Sequence, residues 1–398
     1  MPVFLDLTHT SHTRACTGIQ RVTRSLHTAL GAASFPVTHD PYLRAWRPLE
    51  PWEQANLTAT EATEKRGATW PFAARVRGHT RRLLGRAPET TWPSLPAPSD
   101  APAGIIVPEV FSAKTAAAFP ALFATTAGPR VAVFHDAIAL KYPELTPTKT
   151  VARFPSYLRE LLAFDGIAAV SEDSRDSLRD YWRWLGLTDT PPVEAIPLGL
   201  DLPSRPTIPP STLNAEPPTL LSVGSLEGRK NHVALLDACE QLWSHGTRFT
   251  LHLIGLAHPE TGRDALARVR ALQAAGRPLR YDGPATDAAL SAAYAGCTFT
   301  VYPSLIEGFG LPVIESLAHG KPCICSSRGA LGESTRGGGC YALDRVDASA
   351  LAAAIFHLLT APGELPRLSA AARARTFRSW ADYASALTTW MNRLPLRR

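Results

Sequence analysis

Short apolar runs alternate along the chain with segments in which apolar residues recur at helical spacing. The runs predict strands, and their alternation with helices predicts parallel α/β sheets. We expect strands over residues 3–7, 105–107, 131–134, 167–170, 193–196, 219–223, 250–254, 299–302 and 323–326. In open sheets of this kind ligands bind at the carboxyl ends of the strands, so the polar residues that follow each run are candidates for a site.

Two segments interrupt this alternation. Residues 203–218 contain six prolines, which resist helix and sheet, and predict a linker between two domains. Residues from about 41 to 104 are irregular and too long for an ordinary loop, so we expect a helix or a mobile insertion there. The predicted domains are 1–202, which carries the insertion, and 219–372. A single helix is expected from about residue 370 to 393. We expect the segment 373–398 to pack back on the first domain.

The charge distribution says more than the formal net charge of +6. Residues 65–86, the basic segment, hold seven Lys or Arg residues and no acid, with apolar and aromatic residues between them. Such a segment could lie on an anionic membrane surface, meet a charged acceptor, or be a solvated insertion. Nucleic acid is not expected as a partner, because no recognition module accompanies the basic residues.

Targeting and cysteine signals are weak. No apolar run reaches the roughly 18 residues of a membrane span, and the amino end lacks the basic region of a signal peptide. Six scattered cysteines without a C-x-x-C pair indicate reduced thiols rather than a zinc site. These features predict a cytoplasmic protein.

The most informative stretch begins at Glu307 and ends at Glu315. A strand is followed by a turn with Gly308 and Gly310, and then by a helix expected to open at Pro312. Glycines let backbone amides approach an anion, and the helix amino end favours a phosphate. The flanking carboxylates would repel phosphate, so we expect them to accept hydrogen bonds from sugar hydroxyls. The ligand that combines these groups is a nucleotide sugar.

Two adjacent cations follow another predicted strand. Arg229 and Lys230 lie in a loop that begins with Gly224 and Ser225 after the run at 219–223. Cations at the carboxyl end of a strand are suited to neutralising a diphosphate, although Arg-Lys pairs are also common on surfaces.

Weaker candidates lie in the first half. His135 and Asp136 end an apolar strand, where His135 could hold a substrate hydroxyl or could be a structural residue. Gly18 lies between the first strand and a helix expected to begin near Arg21, where anions and acceptors often dock.

Together these motifs resemble the family of retaining glycosyltransferases that includes bacterial mannosyltransferases, the glycosyltransferase family 4-like enzymes. The strongest resemblance covers residues 302–326, followed by 223–231 and 134–144, and none is found in 41–104. It implies the GT-B fold, in which two Rossmann-like domains face each other across a cleft.

The resemblance also implies roles for the candidates. Glu307 would contact the donor sugar, Glu315 the ribose, and Arg229 and Lys230 the departing diphosphate, with His135 near the transferred sugar. The remaining donor-side residues are Gly308, Phe309, Gly310, Leu311, Gly224 and Ser225, and the acceptor-side residues are Gly18 and Asp136. Many family members have Gly-Arg where this chain has Gly224-Ser225, which leaves the phosphate charge to Arg229 and Lys230.

The hypothesis is a retaining, metal-independent glycosyltransferase without a cofactor. It would move a sugar from a nucleotide-sugar donor to a glycan or lipid-linked acceptor in surface polysaccharide synthesis. GDP-mannose or another GDP-sugar is favoured, and UDP- and dTDP-sugars stay open. The alternatives are a nucleotide-sugar epimerase and a non-catalytic nucleotide-sugar-binding protein. The expected location is the cytoplasm, at the inner face of the plasma membrane if the basic segment binds lipid.

Overall fold

The computed structural model describes residues 2–15, 18–59, 69–84, 103–201 and 217–397. The predicted linker lies outside the described residues except for its last two positions, as do Lys65, Arg66 and Arg86 of the basic segment.

A seven-stranded sheet organises the first half of the chain, in the order β3-β2-β1-β4-β5-β6-β7. β2 and β3 pair antiparallel, and every other pairing between the described strands of this sheet is parallel. The strands are β1 (Val3–Asp6), β2 (Ser34–Asp40), β3 (Ala45–Pro48), β4 (Ile105–Val107), β5 (Arg130–Phe134), β6 (Gly166–Ala169) and β7 (Val193–Ala195).

Helices cover both faces of this sheet, because neighbouring residues of each strand point to opposite sides. Phe4 packs with the cluster that contains Phe119 and Trp182, whereas Leu5 packs with the cluster that contains Val22 and Leu26. The helices are α1 (Gly18–Leu30), α2 (Pro51–Leu57), α3 (Phe72–Leu83), α4 (Ala113–Ala116), α5 (Phe119–Phe123), α6 (Ile138–Lys141), α7 (Thr148–Glu160) and α8 (Glu172–Trp184).

A six-stranded parallel sheet organises the second half, in the order β10-β9-β8-β11-β12-β13. Its strands are β8 (Thr219–Val223), β9 (Thr250–Ile254), β10 (Leu279–Asp282), β11 (Phe299–Tyr302), β12 (Cys323–Ser326) and β13 (Cys340–Leu343). Its helices are α9 (His232–Ser244), α10 (Arg263–Ala274), α11 (Asp287–Gly296), α12 (Leu311–Ala318), α13 (Gly329–Thr335), α14 (Ala348–Thr360) and α15 (Glu364–Arg373).

None of the helices in the described ranges is by itself long and apolar enough to cross a membrane. Among these helices, α14 and α15 reach the required length and apolar content only when they are counted together, and they meet at an angle of 94°.

The end of the chain returns to the first sheet. The helix expected over residues 370–393 is in fact two helices, α15 and α16 (Trp380–Met391). The break occurs because Ser379 caps α16, accepting from the Asp382 amide while the Asp382 carboxylate accepts from the Ser379 amide. α16 then packs on α1, with Leu387 and Met391 buried beside Leu5.

Every predicted strand is present, and four further strands were missed. β2, β3, β10 and β13 lie at or next to a sheet edge, and their sequences mix polar and apolar residues. The detected strands are mostly central ones, because burial on both faces produces a continuous apolar run.

Candidate functional site

Glu307 lies at the centre of a buried charge cluster after β11. Its Oε1 atom accepts from Lys230 Nζ at 2.5 Å, the Tyr302 hydroxyl at 2.9 Å and Ser304 Oγ at 2.5 Å. Its Oε2 atom accepts from Arg229 Nη1 at 2.7 Å. Burial alone would raise the pKa of Glu307, but the charges of Arg229 and Lys230 lower it to about 2. Glu307 is therefore an ionised carboxylate balanced by two cations.

The loop after β8 holds the two cations in place. Asn231 follows them in the left-handed conformation, with a φ of 55°, which Asn adopts more readily than most residues. Its side-chain amide donates to the Val346 carbonyl at 2.7 Å, and the Leu305 amide donates to the Arg229 carbonyl at 2.9 Å. The loop is thus tied to β11 and to the segment before α14, so Lys230 points inward.

Gly224 and Ser225 begin this loop and contact residues of the second domain. Ser225 Oγ donates to Glu227 Oε1 at 2.6 Å, so the hydroxyl is engaged within the loop. Gly224 lies beside the side chains of Lys230 and Tyr302, because a Cβ there would come within 3.9 Å of both.

The turn between the two carboxylates places a helix amino end beside the cluster. Gly310 has a φ of 97°, a conformation that side chains disfavour, and an added Cβ would meet Leu331 Cδ2 at 2.7 Å. α12 begins at Leu311, so Pro312 occupies the second helical position rather than the first. Proline is tolerated there because first-turn amides have no acceptor within the helix. The Val313 amide donates to the Gly310 carbonyl at 3.0 Å, so the amides of the glycine turn and of Leu311 are the ones suited to bind an anion.

Glu315 is held from the other half of the chain. Arg21 Nη2 donates to its Oε1 atom at 2.5 Å, and the Tyr294 hydroxyl donates to Oε2 at 3.0 Å. Arg21 lies in the first turn of α1, which begins at Gly18 and not near Arg21 as predicted. Gly18 is therefore the first residue of a helix rather than part of a loop.

The two domains meet at a seam that runs past Gly308. An added Cβ on Gly308 would lie 2.0 Å from the backbone oxygen of His135 and 3.1 Å from Asp136 Cβ. Ser174 Oγ lies between the domains, 3.0 Å from the carbonyl oxygen of His135 and 3.2 Å from that of Gly308. Only a glycine permits this approach, so the seam brings the His135 region against the turn that carries Glu307.

A second seam contact uses the amino end of α8. The carboxylate of Glu333 accepts from the Glu172 amide at 3.0 Å and the Asp173 amide at 2.7 Å. Arg336 adds an exposed ion pair with Glu172 at 2.7 Å. Glu333 thus supplies, from the second domain, the negative charge that a helix amino end favours.

His135 is buried and neutral in this arrangement. Burial lowers the pKa of His135, and its Nε2 atom donates to the Pro108 carbonyl at 2.7 Å. Because a carbonyl only accepts, the proton is on Nε2, and Nδ1 is left as an acceptor. Asp136 accepts from the Ile138 amide at 3.0 Å, and its charge acts on Arg229 across the seam.

The first domain contributes residues that sequence reasoning missed. Glu109, which follows β4, accepts from the His9 and Thr10 amides, both at 2.8 Å, and fixes the turn after β1. Gln20 Nε2 lies 3.2 Å from His9 Nδ1. Glu109 stands at the carboxyl end of a correctly predicted strand, so the same rule that selected His135 could have found it. Within the described ranges no group of three or more His, Cys, Asp or Glu residues is arranged to hold a metal ion.

The architecture that carries these residues is the GT-B fold, as the sequence predicted. HepE from Anabaena, solved in complex with UDP and glucose, matches with a TM-score of 0.68 and 14% identity over 99% of this chain and 100% of that chain. Sucrose-phosphate synthase from Thermosynechococcus elongatus matches with a TM-score of 0.66 and 18% identity over 98% of each chain. At these identities the likeness is one of fold.

Sequence comparison matches part of the chain to a family model and to named relatives. Residues 217–361 match the family model for glycosyl transferases group 1. The serotype-specific mannosyltransferase WbdA of Escherichia coli is 25% identical over 339 residues, which cover 81% of this chain and 38% of that protein. The chain thus spans less than half the length of this relative.

Proposed function

We propose that the chain is a mannosyltransferase-like glycosyltransferase of polysaccharide biosynthesis, which moves a sugar from a nucleotide-sugar donor to a glycan acceptor. The observation that carries the proposal is the buried cluster of Glu307, Arg229 and Lys230 beside the amino end of α12, closed by the seam at Gly308. The names of the mannosyltransferase relatives and the UDP and glucose bound by HepE support the same class of reaction.

The donor would lie between the cluster and the helix amino end. The diphosphate would take the amides of the glycine turn and of Leu311 and the charges of Arg229 and Lys230, while sugar hydroxyls donate to Glu307. Arg229 and Lys230 are already held by Glu307 before any ligand enters, so little reorganisation is needed when the diphosphate arrives.

The chemistry follows from where charge develops. As the bond between the anomeric carbon and the phosphate oxygen breaks, positive charge grows on the sugar and negative charge on the diphosphate. Arg229, Lys230 and the α12 amides favour that separated state over the ground state. We propose retention of configuration by a front-face route, in which the departing phosphate takes the acceptor proton. We further propose that these cations carry the charge without a metal, so a chelator should leave the rate unchanged.

His135 and Asp136 would face the transferred sugar from the first domain. Nδ1 of neutral His135 can accept from a sugar hydroxyl, and the closed seam would exclude water from the bond that breaks. GDP-mannose is the first donor to test, since the relatives that match in sequence are named mannosyltransferases. Thermal unfolding with GDP, UDP and dTDP would identify the base, because only a bound nucleotide stabilises the folded state.

The test is donor turnover in a Lys230→Met variant, which keeps most of the length of the side chain and removes its charge. We expect transfer to fall by about 10²–10³-fold with the fold retained. The matched control is Lys321→Met, because Lys321 is also buried in the second domain but donates to the Cys297 carbonyl at 2.6 Å. Full transfer by Lys230→Met would overturn the assigned role. Release of an altered sugar without any acceptor would indicate an epimerase instead.

A further inference from the structure

The side of α3 that packs against the rest of the first domain carries the smallest residues of the helix. Ala74 and Gly78 are buried, and a Cβ added to Gly78 would come within 2.4 Å of Tyr42 Cβ. Arg77 Nη2 donates to Glu50 Oε1 at 2.6 Å and fastens the helix to the segment before α2. The inner face of α3 is therefore narrow and close-packed, so its larger residues are left on other faces.

The opposite face of α3 carries an apolar stripe exposed to solvent. Phe72 is 79% exposed, Val76 44% and Leu83 76%, and their spacing of four and seven residues places them on one side of the helix. Exposed apolar residues in single positions are ordinary, but three on one side of a helix, separated only by His79 and Thr80, indicate a binding surface. Val76 also lines an open cavity of about 440 Å³ together with Tyr42, Arg75, His79 and Thr80.

The positive charge of α3 favours an anionic partner for this stripe. Residues 72–83 contain four arginines and neither Asp nor Glu, and Arg75 is exposed beside the stripe. A helix that combines an exposed apolar stripe with a surplus of arginine is suited to lie in the plane of an anionic lipid surface. We propose that the stripe Phe72–Val76–Leu83 inserts into the interfacial region of an anionic bilayer, with Arg75 at the headgroups.

This placement relates the membrane to the cleft. The Thr69 amide just before α3 donates to the His12 carbonyl at 2.8 Å, and the Trp70 ring stacks on that of His12 at 3.8 Å. His12 lies in the same turn as His9, which contacts Gln20 on the first-domain side of the cleft. A bilayer bound by α3 would therefore lie near that side. The surface is independent of the proposed reaction and would hold even if that proposal failed.

The experiment is co-sedimentation of the full chain with vesicles of pure phosphatidylcholine and with vesicles containing roughly one third phosphatidylglycerol. We expect binding to the anionic vesicles alone, weakened as the salt concentration rises from about 0.1 M to about 1 M. Changing both Phe72→Ser and Leu83→Ser should lower the partition coefficient by about tenfold or more, and Arg75→Glu should also lower it. The matched control is Phe356→Ser, which removes a half-exposed aromatic from α14 in the other domain.

Four outcomes would overturn the proposal. The first is that the wild type stays in the supernatant with both kinds of vesicle. The second is equal binding to neutral and anionic vesicles. The third is that the double variant binds anionic vesicles as tightly as the wild type. The fourth is a dimer that the double variant converts to a monomer without any lipid binding, which would make a second copy the occupant of the stripe. Transfer to a soluble saccharide should be unchanged in the double variant, which separates this test from that of the reaction.

Discussion

The Glu307 cluster and the domain seam differ in where their partners come from. Glu307 is held by Arg229, Lys230, Tyr302 and Ser304, all of the second domain. The seam depends on bonds that cross between domains, such as those of Glu333 with the amino end of α8. The cluster should therefore persist when the domains separate, whereas the seam exists only while they are closed.

This difference assigns separate tasks to the two regions. A cluster that is complete within one domain can hold its charges ready before a donor binds. The seam consists of contacts between the domains, including Leu311 and Phe309 packed with the apolar cluster of the first domain, so it can close over a donor and exclude water as the proposed reaction requires. The comparison predicts that changes in the cluster alter stability and reaction together, whereas changes in the seam alter domain closure without unfolding either domain.

The largest effect is expected for Glu307→Gln. It leaves buried Lys230 without its paired carboxylate, while Arg229 keeps only Glu227 at 3.2 Å. We therefore expect transfer to fall by about 10³-fold and the free energy of unfolding to fall by about 3 kcal/mol. Because the folded-state pKa is depressed from 4.5 to about 2, this stability is present above pH of about 5 and is lost as the pH falls toward 2. Urea unfolding of both proteins across this range measures the difference. A pH-independent difference would contradict the ion-pair explanation.

A smaller effect is expected for Gly308→Ala, which acts on the seam. The new methyl group would lie 2.0 Å from the His135 backbone oxygen, which cannot rotate away as a side chain can. We expect the domains to separate, with a larger radius of gyration in solution scattering and about 10²-fold slower transfer, but little change in melting temperature. Gly296→Ala is the control, since a Cβ there meets nothing within 4 Å. Unchanged scattering together with full activity would argue against a closed seam.

The smallest effect is expected for Glu333→Gln. The amide keeps an acceptor for one α8 amide but loses the charge at the helix amino end, which costs about 1 kcal/mol. We expect closure to weaken and transfer to fall by about tenfold or less. Glu364→Gln is a matched change in an exposed ion pair with Arg367 within α15, and it should leave transfer unaltered. If both variants behave alike, Glu333 has no role in closure.

Local pattern predicted the central strands and the loops that follow them, because both leave short-range signals. Arg229, Lys230 and Glu307 were identified together, and the structure brings them within hydrogen-bonding distance. Their mutual pairing was not foreseen, because a sequence does not show whether two opposite charges face a ligand or each other.

Contacts between distant segments were harder to predict. Arg21 and Glu315 are separated by 294 positions, and Glu333 reaches an amide 161 positions away. Nothing in the local sequence of either segment specifies such a partner, since the contact arises only when two domains dock. The edge strands and the break before α16 were missed for a related reason, because both are fixed by caps and neighbours rather than by periodicity.

The return of α16 to the first sheet means that the chain passes between the domains twice. The first passage begins beside the second, because the Leu200 amide donates to the Arg378 carbonyl at 2.9 Å and Leu200 pairs with Ser379 as an isolated bridge. Two adjacent connections restrict sliding and twisting more than a single tether does, and leave rotation about their common line as the easiest motion. The cleft should therefore open by rotation of one domain against the other about the line of these two connections.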